Sequence, residues 1–312
     1  MSRNRIVVVG SSNTDMIIKL PRIPLRGETI GGGMFSMAAG GKGANQAVAA
    51  ARTGGSVTLI ARVGTDLFGE TAIENFSADG IDIGCVLKDA ETPSGTALIF
   101  VAEDGENSIG VAPGANSRLS KDDIEGFRGV IASADVLVMQ LETPMESVQA
   151  AAEIAALEGV RIILNPAPAA QVPAEVLKRV DILTPNEHEA KVLTGLEVRD
   201  EVSAGEAAHS LMRQGVGTVL ITLGAQGTFI ASEAFQGMVR GFPVEAVDST
   251  AAGDVFNGAL AVALCEGRQL REAVVFANAA AALSVTKLGA QPSIPRRREI
   301  ETFLFERGAE IR

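Results

Sequence analysis

The sequence predicts an α/β protein with a mainly parallel central sheet, helices on both faces of that sheet, and a small additional β-sheet. Short β-branched segments alternate with Ala-rich segments of helical period, which is typical of right-handed βαβ units. Two stretches interrupt this alternation and predict the additional sheet. The length of 312 residues, with 46% hydrophobic and 21% charged residues, is typical of a large globular unit.

The core strands are predicted from apolar runs that turn residues bound, and such runs are typical of strands buried on both faces. They cover residues 6–9, 57–60, 136–139, 162–164, 181–183 and 219–222. Helices are predicted where small and apolar residues recur with helical spacing. They cover residues 44–52, 145–157, 187–194, 204–214 and 255–264, with a charged closing helix after residue 293.

Residues 13–37 and 92–111 form the predicted additional sheet, within which residues 96–102 are a strand. The first stretch directly follows the first core strand, and the second interrupts the alternation midway. We therefore expect both to project from one edge of the core as a lid over a ligand site. The α/β core is expected to comprise residues 1–12, 38–91 and 112–312.

The charge, the apolar runs and the cysteines of the chain disfavour several classes of protein. Lys and Arg number 27 and Asp and Glu number 38, so the net charge is −11, which disfavours nucleic acid. Any small phosphate ligand must then be held locally, by backbone N–H groups, a helix N-terminus or a cation. No apolar run is long enough to span a membrane, and no secretory leader is evident. Cys85 and Cys265 suggest neither a disulfide framework nor a zinc site, so a reducing, cytoplasmic setting is expected.

Familiar nucleotide and metal motifs are absent from the sequence. The first strand is not followed by GxGxxG, and the glycines around Lys42 do not match the Walker pattern. His188 and His209 have no paired-ligand spacing, which disfavours a histidine-based metal site or a Ser-His-Asp triad.

The stretch 248–254 (DSTAAGD) precedes a small-residue helix and predicts an anion hole. Ala251, Ala252 and Gly253 have little or no side chain, so a ligand can approach the free N–H groups of the helix N-terminus. Asp254 would lie beside them as a general base for an attacking hydroxyl group. The alternative is an acidic residue that only complements the helix dipole.

The stretch 40–45 (GGKGAN) also opens a helix, and its glycines would let a polar small molecule lie against the backbone. Lys42 and Asn45 would supply hydrogen bonds, together with Asn13 and Asp15 after the first strand. Such groups suit a sugar, although a tight loop with helix packing is the alternative.

Two further stretches follow predicted strands. Asn186 and Glu189 share a helix face and suit hydrated Mg²⁺, and the alternative, which the pair taken alone favours, is a helix cap with an acidic first turn. The stretch 222–227 (TLGAQG) fits either a hairpin turn or a nucleotide-lining loop.

Together these stretches resemble the PfkB carbohydrate kinase family over nearly the whole chain. The resemblance includes residues 40–46 (GGKGANQ), 186–189 (NEHE), 221–224 (ITLG) and 248–254 (DSTAAGD). Residues 140–142 (QLE), 164–169 (LNPAPA) and 287–293 (KLGAQPS) follow the same family order. The resemblance implies transfer of the ATP γ-phosphoryl group to O5 of D-ribose.

The resemblance also implies roles for individual residues. Asp254 would be the catalytic base, and Ala251, Ala252 and Gly253 would form the anion hole. The sugar would contact Asn13, Asp15, Gly41, Lys42, Gly43, Asn45, Glu142 and Asp254. The nucleotide would contact Asn186, Thr222, Gly224, Gly227, Gly253 and Asn278.

The implied cofactors are Mg²⁺ and K⁺, with ATP as co-substrate. Asn186 and Glu189 would hold Mg²⁺ through water. The K⁺ site, partly through main-chain carbonyls, would comprise Asp248, Thr250, Ser284, Lys287, Gly289 and Ser293. The lid is implied to close over the sugar and to pair with the lid of a second subunit, which gives a homodimer.

The alternatives are a family member that acts on deoxyribose or fructose, and a non-catalytic sugar-binding regulator. Asn13 offers an amide to a ring hydroxyl group, which favours ribose over 2-deoxyribose. Asp254 disfavours the regulator, because binding alone needs no base.

Overall fold

The computed structural model describes residues 4–308, so residues 1–3 and 309–312 of the predicted core lie outside the described residues. Thirteen strands lie within this part of the chain. In chain order they are β1 (Arg5–Val9), β2 (Asn13–Leu20), β3 (Met34–Gly40), β4 (Ser56–Gly64), β5 (Val86–Asp89), β6 (Gly95–Ala102), β7 (Asn107–Ala112), β8 (Val136–Met139), β9 (Arg161–Leu164), β10 (Ile182–Leu183), β11 (Thr218–Thr222), β12 (Gly227–Ala231) and β13 (Gln236–Arg240).

Nine strands form the large sheet, in the order β13-β12-β11-β10-β9-β8-β1-β4-β5. All neighbours from β11 to β5 pair in parallel, whereas β12 and β13 are antiparallel. The other four strands form a small sheet, in the order β3-β2-β6-β7. Strand β2 pairs in parallel with β6 and antiparallel with β3.

Eleven α-helices lie within residues 4–308. They are α1 (Lys42–Arg52), α2 (Leu67–Ala78), α3 (Lys121–Gly126), α4 (Arg128–Ala132), α5 (Met145–Leu157), α6 (Ala174–Leu177), α7 (Glu187–Thr194), α8 (Glu201–Met212), α9 (Ala252–Cys265), α10 (Leu270–Ser284) and α11 (Arg297–Glu306).

The helices bury both faces of the large sheet. Successive residues of a strand point to opposite faces, so Ile6 and Val8 of β1 lie in one core and Val7 and Val9 in the other. The first core is closed by α1, α2, α9, α10 and α11. The second is closed by the helices from α3 to α8. This arrangement confirms the predicted α/β class with a small second sheet.

All six predicted core strands are present. The helices predicted at 145–157 and 187–194 have those bounds, and the other predicted helices differ by a few residues at their ends. The stretch 222–227 forms the turn between the antiparallel strands β11 and β12, as the hairpin alternative predicts. No helix within residues 4–308 is long and apolar enough to cross a membrane.

Candidate active site

The carboxyl ends of the central parallel strands carry most of the predicted site residues. Strand β1 leads through Ser11 and Ser12 into β2 of the small sheet. Strand β8 is followed by Gln140 and Glu142, and β10 is followed by Asn186. Helices α1 and α9 begin at the same edge, where open α/β sheets place their ligands.

Helix α1 begins in a sharp turn that only glycine tolerates. Gly41 has φ +88°, and a Cβ atom there would lie 2.6 Å from the amide nitrogen of Asn13. The Glu142 carboxylate caps the helix, because it accepts a hydrogen bond from the Lys42 N–H at 3.0 Å. The Ser11 hydroxyl donates to the same carboxylate oxygen at 2.5 Å. Glu142 therefore joins β8, β1 and α1 at the edge of the site.

Helix α9 places Asp254 in its first turn, as the sequence predicts. The preceding residue Ala251 adopts the left-handed conformation with φ 62°, a strained conformation for a residue other than glycine. The Asp254 side chain is only 5% exposed. Its carboxylate accepts hydrogen bonds from Asn45 Nδ2 at 3.0 Å and Gln46 Nε2 at 2.9 Å, both from α1. The carboxylate is therefore buried and held in one orientation.

The N-terminus of α9 offers backbone donors beside this carboxylate. The Ala252 N–H donates to Ser249 O at 3.2 Å. Among residues 4–308, no backbone acceptor meets the N–H groups of Gly253 and Asp254. Gly253 is exposed, and no atom within 4 Å crowds its Cβ position. An anion can thus approach these two N–H groups.

Four carboxyl groups surround the single lysine of the site. Burial opposes the charge of the Lys42 ammonium, but attraction from Asp254, Glu142, Glu189 and Asp15 raises its pKa. Burial raises the pKa of Asp254, while Lys42, Asn45 and Gln46 oppose this rise. Burial also raises the pKa of Asp15 to about 6, with added repulsion from Glu142 and Asp254. The site therefore gathers four carboxyl groups around one ammonium group.

Asn13 is oriented by Asn116, a residue without a predicted role. The buried Asn116 donates from Nδ2 to Asn13 Oδ1 at 2.8 Å and accepts from the Ser12 N–H at 2.8 Å. This hydrogen bond fixes the direction of the Asn13 amide, whose NH₂ group is left to donate. No sequence signal marks Asn116, which lies in a short 3₁₀ helix after β7 (Gly114–Arg118).

Most of the residues predicted to contact a nucleotide lie beside β10, β11 and β12. Asn186 caps α7, and the Glu189 carboxylate accepts a hydrogen bond from the Asn186 N–H at 2.8 Å. The backbone of Asn186 forms an isolated parallel β-bridge with Thr222 at the end of β11. Gly227 has φ 108°, and a Cβ atom there would lie 2.2 Å from Val239 O. Gly224 lies in the same turn, with φ 52°.

Asn278 is buried beneath the same hairpin. Its side chain accepts a hydrogen bond from Thr228 Oγ1 at 2.8 Å and donates to Val239 O at 3.3 Å. The side chain therefore braces β12 and β13.

The residues predicted for the K⁺ site form two linked loops. Asp248 accepts from the Thr250 N–H at 2.9 Å and from the Gly289 N–H at 2.8 Å. Ser284 and Ser293 donate from Oγ to nearby main-chain carbonyls, both at 2.8 Å. The Lys287 ammonium pairs instead with Glu299 at 2.9 Å. Only the main chain of Lys287 is thus left for such a site.

A buried hydrogen-bond network underlies Asp254, and none of its members has a predicted role. It comprises Gln46, Gln140, Asn165, Thr184 and Asn257. One signal could have found part of it: Gln140, Asn165 and Thr184 each directly follow the end of a buried core strand. A polar residue at that place is expected to face the ligand edge.

This architecture is that of the ribokinase-like sugar kinases. The model of the pfkB family carbohydrate kinases matches residues 3–297, and the chain belongs to this family. A ribokinase from Haemophilus influenzae is 48% identical over 302 residues, which cover 97% of this chain and 99% of that protein.

Two solved structures extend the comparison. A ribokinase from Arabidopsis thaliana, complexed with ribose and ATP, superposes with a TM-score of 0.89 at 34% identity and covers 96% of this chain and 98% of that chain. A putative ribokinase II from E. coli, in complex with ATP and Mg²⁺, has a TM-score of 0.81 at 25% identity and covers 97% and 99% of the two chains.

Proposed function

We propose that this chain transfers the γ-phosphoryl group of ATP to O5 of D-ribose and yields ribose 5-phosphate and ADP. Family membership and the similarity to ribokinases over nearly the full length support this activity. The observation that carries it is the buried Asp254 carboxylate beside the unbonded N–H groups of Gly253 and Asp254. A sugar-binding regulator would need neither feature.

Asp254 acts as the general base. Its carboxylate takes the proton of the O5 hydroxyl group as the O5–phosphorus bond forms and the bond from phosphorus to the ADP oxygen breaks. The pKa of Asp254 is raised by burial, and a base is most effective when its pKa approaches the working pH. Asn45 and Gln46 fix its direction, so the proton acceptor need not reorganise during the reaction.

The N-terminus of α9 forms the anion hole. Phosphoryl transfer needs charge stabilisation more than covalent chemistry, and the Gly253 and Asp254 N–H groups supply donors where the transferred oxygens carry charge. Ala251 and Ala252 turn the chain so that these donors face the cleft. Lys42 is the cation nearest to the four carboxyl groups and offsets their repulsion of phosphate.

The sugar is recognised by the small sheet and by the start of α1. Asn13 donates to a ring hydroxyl group, because Asn116 fixes the direction of its amide. The Asp15 carboxylate accepts from hydroxyl groups. Asn45 Oδ1 is buried and has no hydrogen-bond partner among the described residues, so it is free to accept from a hydroxyl group. The absence of a side chain at Gly41 and Gly43 lets the start of α1 pack against the backbone of residues 10–13, and Glu142 fixes this loop.

The residues present fit Mg²⁺ bound through water. Glu189 and Asn186 cap each other, but an ionised carboxylate has lone pairs left for water molecules. When bound with ATP, the ion supplies charge neutralisation on the phosphates. Thr222, Gly224 and Gly227 form the turn beside which the nucleotide lies, and Asn278 supports this turn from below.

A K⁺ ion also fits the loops that Asp248 joins. Oxygen ligands are what such an ion requires, and the Asp248 carboxylate links the two loops by accepting hydrogen bonds from the N–H groups of Thr250 and Gly289. Because the loop containing Asp248 leads directly into α9, an ion at this place would stabilise the anion hole.

Residues 13–37 and 92–111 are proposed to act as a lid and as the contact between two subunits. The face of the small sheet opposite Asp15 carries Met16, Ile18, Phe35, Met37, Leu98 and Phe100. Phe35 is 63% exposed and Leu98 is 53% exposed. An exposed apolar patch of this kind favours a homodimer.

Replacement of the base tests the mechanism. Asp254→Asn is expected to lower kcat by at least ~10²-fold with little change in ribose affinity, because general-base removal costs ~10²- to 10⁴-fold. Turnover is measured by coupled ADP release, and ribose binding by calorimetry. Asp200→Asn is the matched control, since Asn also caps a helix and Asp200 caps α8 away from the site. Near-normal turnover of Asp254→Asn would contradict the mechanism.

The substrate is tested by comparing kcat/KM for ribose, 2-deoxyribose and fructose. Ribose is expected to have the highest value, by at least about tenfold over 2-deoxyribose, because the loss of one hydroxyl group leaves a buried partner unpaired. A higher value for another sugar would reassign the substrate. The same assay with KCl replaced by choline chloride tests K⁺, which is expected to raise the rate.

A further inference from the structure

Gln46 is completely buried and lies between the two helices that form the site. It is the residue after Asn45 in α1, and its side chain has no exposed surface. It points away from the sugar cleft toward Asp254 of α9 and Asn165 after β9. Gln46 therefore belongs to the interior behind the catalytic carboxylate.

The hydrogen bonds of Gln46 fix the direction of its amide group. Its Nε2 donates to Asp254 Oδ1 at 2.9 Å and to Asn165 Oδ1 at 3.2 Å. Its Oε1 accepts from Gln140 Nε2 at 2.6 Å. Because a primary amide has two donors and one oxygen, all of its groups are used and the reverse orientation would break the set.

The same network returns to the first turn of α9. Asn165 donates to Thr184 O at 3.2 Å, and Thr184 donates from Oγ1 to Asn257 Oδ1 at 2.7 Å. Asn257 then donates to Gly253 O at 2.8 Å. The turn that carries the anion hole and the carboxylate is thus held from both sides by buried amide and hydroxyl groups.

We propose that Gln46 is a positioning residue, which holds the Asp254 carboxylate ionised and aimed at the substrate hydroxyl group, with Gln140 setting the direction of the Gln46 amide. This inference rests on the proposed function, because it deepens the role of Asp254 as the base.

The charges around Asp254 make these neutral donors necessary. Lys42 of α1 favours the ionised carboxylate, whereas Glu142 after β8, Asp15 of β2 and Glu189 of α7 repel it. Burial also disfavours the charge, and the hydrogen bonds from Asn45 and Gln46 oppose this effect on the pKa. Because burial still raises the pKa of Asp254 overall, the amide donors act together with Lys42 to favour its ionised form.

Gln46→Met tests the proposal, because methionine keeps the length of the side chain and removes both donors. We expect kcat to fall about 10- to 10²-fold, the ribose KM to change less than about threefold, and the acid limb of the kcat/KM profile to move up by about one pH unit. Titration of Asp254 by ¹³C NMR of labelled aspartate is expected to show the same upward shift without any assay. An unchanged pKa of Asp254 would overturn the proposal.

A double variant separates positioning from a general loss of packing. In the Asp254→Asn background, Gln46→Met is expected to lower the residual rate by no more than about twofold, because the carboxylate is already absent. An equal loss in both backgrounds would overturn the proposal. Near-normal turnover of Asp254→Asn alone would contradict the proposed function instead, and the NMR titration would still test the contact.

Two further variants guard against misfolding. Thr53→Val removes buried hydrogen bonds at the other end of α1 and is expected to lower Tm without moving the pH profile. Gln46→Glu keeps the size of the side chain and places a carboxyl group against Asp254, so its acid limb is expected to move further upward. If Gln46→Glu has the wild-type profile, the proposal is wrong.

Discussion

The carboxyl group of Asp15, a proposed sugar contact, is buried at a cost to the stability of the ligand-free protein. It lies in β2 between Ala38 and Ala97, and Gly40 leaves the space that its carboxylate occupies. Burial is the main cause of its raised pKa of about 6, with repulsion from Glu142 and Asp254. A sugar hydroxyl group would give this carboxylate the donor that the fold does not supply.

The sign of the resulting pH dependence follows from the two pKa values. The pKa of Asp15 is about 6 in the folded protein and 3.8 as a model value, so the folded state holds the proton more tightly. Stability therefore falls as pH rises from about 4 to about 6, and the loss persists above that range. We expect Asp15→Asn to raise the Tm of the ligand-free protein more at pH 8 than at pH 4.5.

Differential scanning fluorimetry at the two pH values checks this expectation. Asp200→Asn is the control, and its effect on Tm is expected to have the opposite pH dependence, because hydrogen bonds from Ser203 lower the pKa of Asp200. The ribose KM of the unmodified protein should also rise below about pH 6, as Asp15 takes up a proton and accepts fewer hydrogen bonds. A Tm difference for Asp15→Asn that does not depend on pH would contradict the role of its charge.

At the scale of residues, the side chains that belong to a sequence motif could be predicted from the sequence. The buried side chains that hold them in place could not. Asp254 and Lys42 were predicted to lie at helix N-termini, where the structure places them. Gln46 and Asn116 are ordinary buried amides whose partners are distant in the chain, at separations of 208 and 103 residues for Asp254 and Asn13. No local spacing encodes such pairs.

At the scale of elements, the site depends on the close crossing of α1 and α9. The helices meet at Gly258, where a Cβ atom would lie 2.6 Å from Ala49 Cβ and 2.6 Å from Gln46 O. This contact lies one turn from Asp254, so it sets the distance between the Asp254 carboxylate and its donors in α1. The absence of a side chain at Gly258 is therefore a condition of the geometry proposed for catalysis.

Gly258→Ala is expected to destabilise the protein by ~1–3 kcal/mol, because overpacking against a helix backbone cannot relax easily. It should also lower kcat at temperatures where the variant is fully folded, since α1 moves away from Asp254. Chemical denaturation and steady-state kinetics measure the two effects.

Gly129→Ala is the matched control, because no atom lies within 4 Å of the added Cβ position in α4. This control is expected to be neutral or slightly stabilising. Wild-type kcat in Gly258→Ala would show that the spacing of the helices does not control the site.

The elements that the sequence predicted best are those with the clearest period, such as α5 and α7. The hairpin of β12 and β13 was not predicted as strands, because its short segments lie beside a turn that fitted two interpretations. Residue Asn278 explains the outcome: it ties both strands to α10, a tertiary contact that no local pattern indicates.

At the scale of the whole molecule, the small sheet leaves an apolar face without a partner in one chain. Leu98 lies at the centre of this face, opposite Met16. If the face is the dimer contact, Leu98→Lys should yield a species at the 32.3 kDa chain mass where the unmodified protein has twice that mass. Light scattering after gel filtration measures the difference.

Val202→Lys is the control, since Val202 is an exposed apolar residue on α8 outside the small sheet. This variant is expected to keep the dimer mass. A Leu98→Lys protein of unchanged dimeric mass would place the subunit contact elsewhere.

The strand order has a consequence for how activity arises during synthesis. Strand β1 lies inside the large sheet, third from one edge and between β8 and β4, whereas α9 is among the last helices to leave the ribosome. The nascent chain therefore holds the amides of α1 long before the aspartate that they orient exists. Recovery of turnover during refolding should accordingly report docking of the C-terminal helices and not the earlier collapse of the N-terminal half.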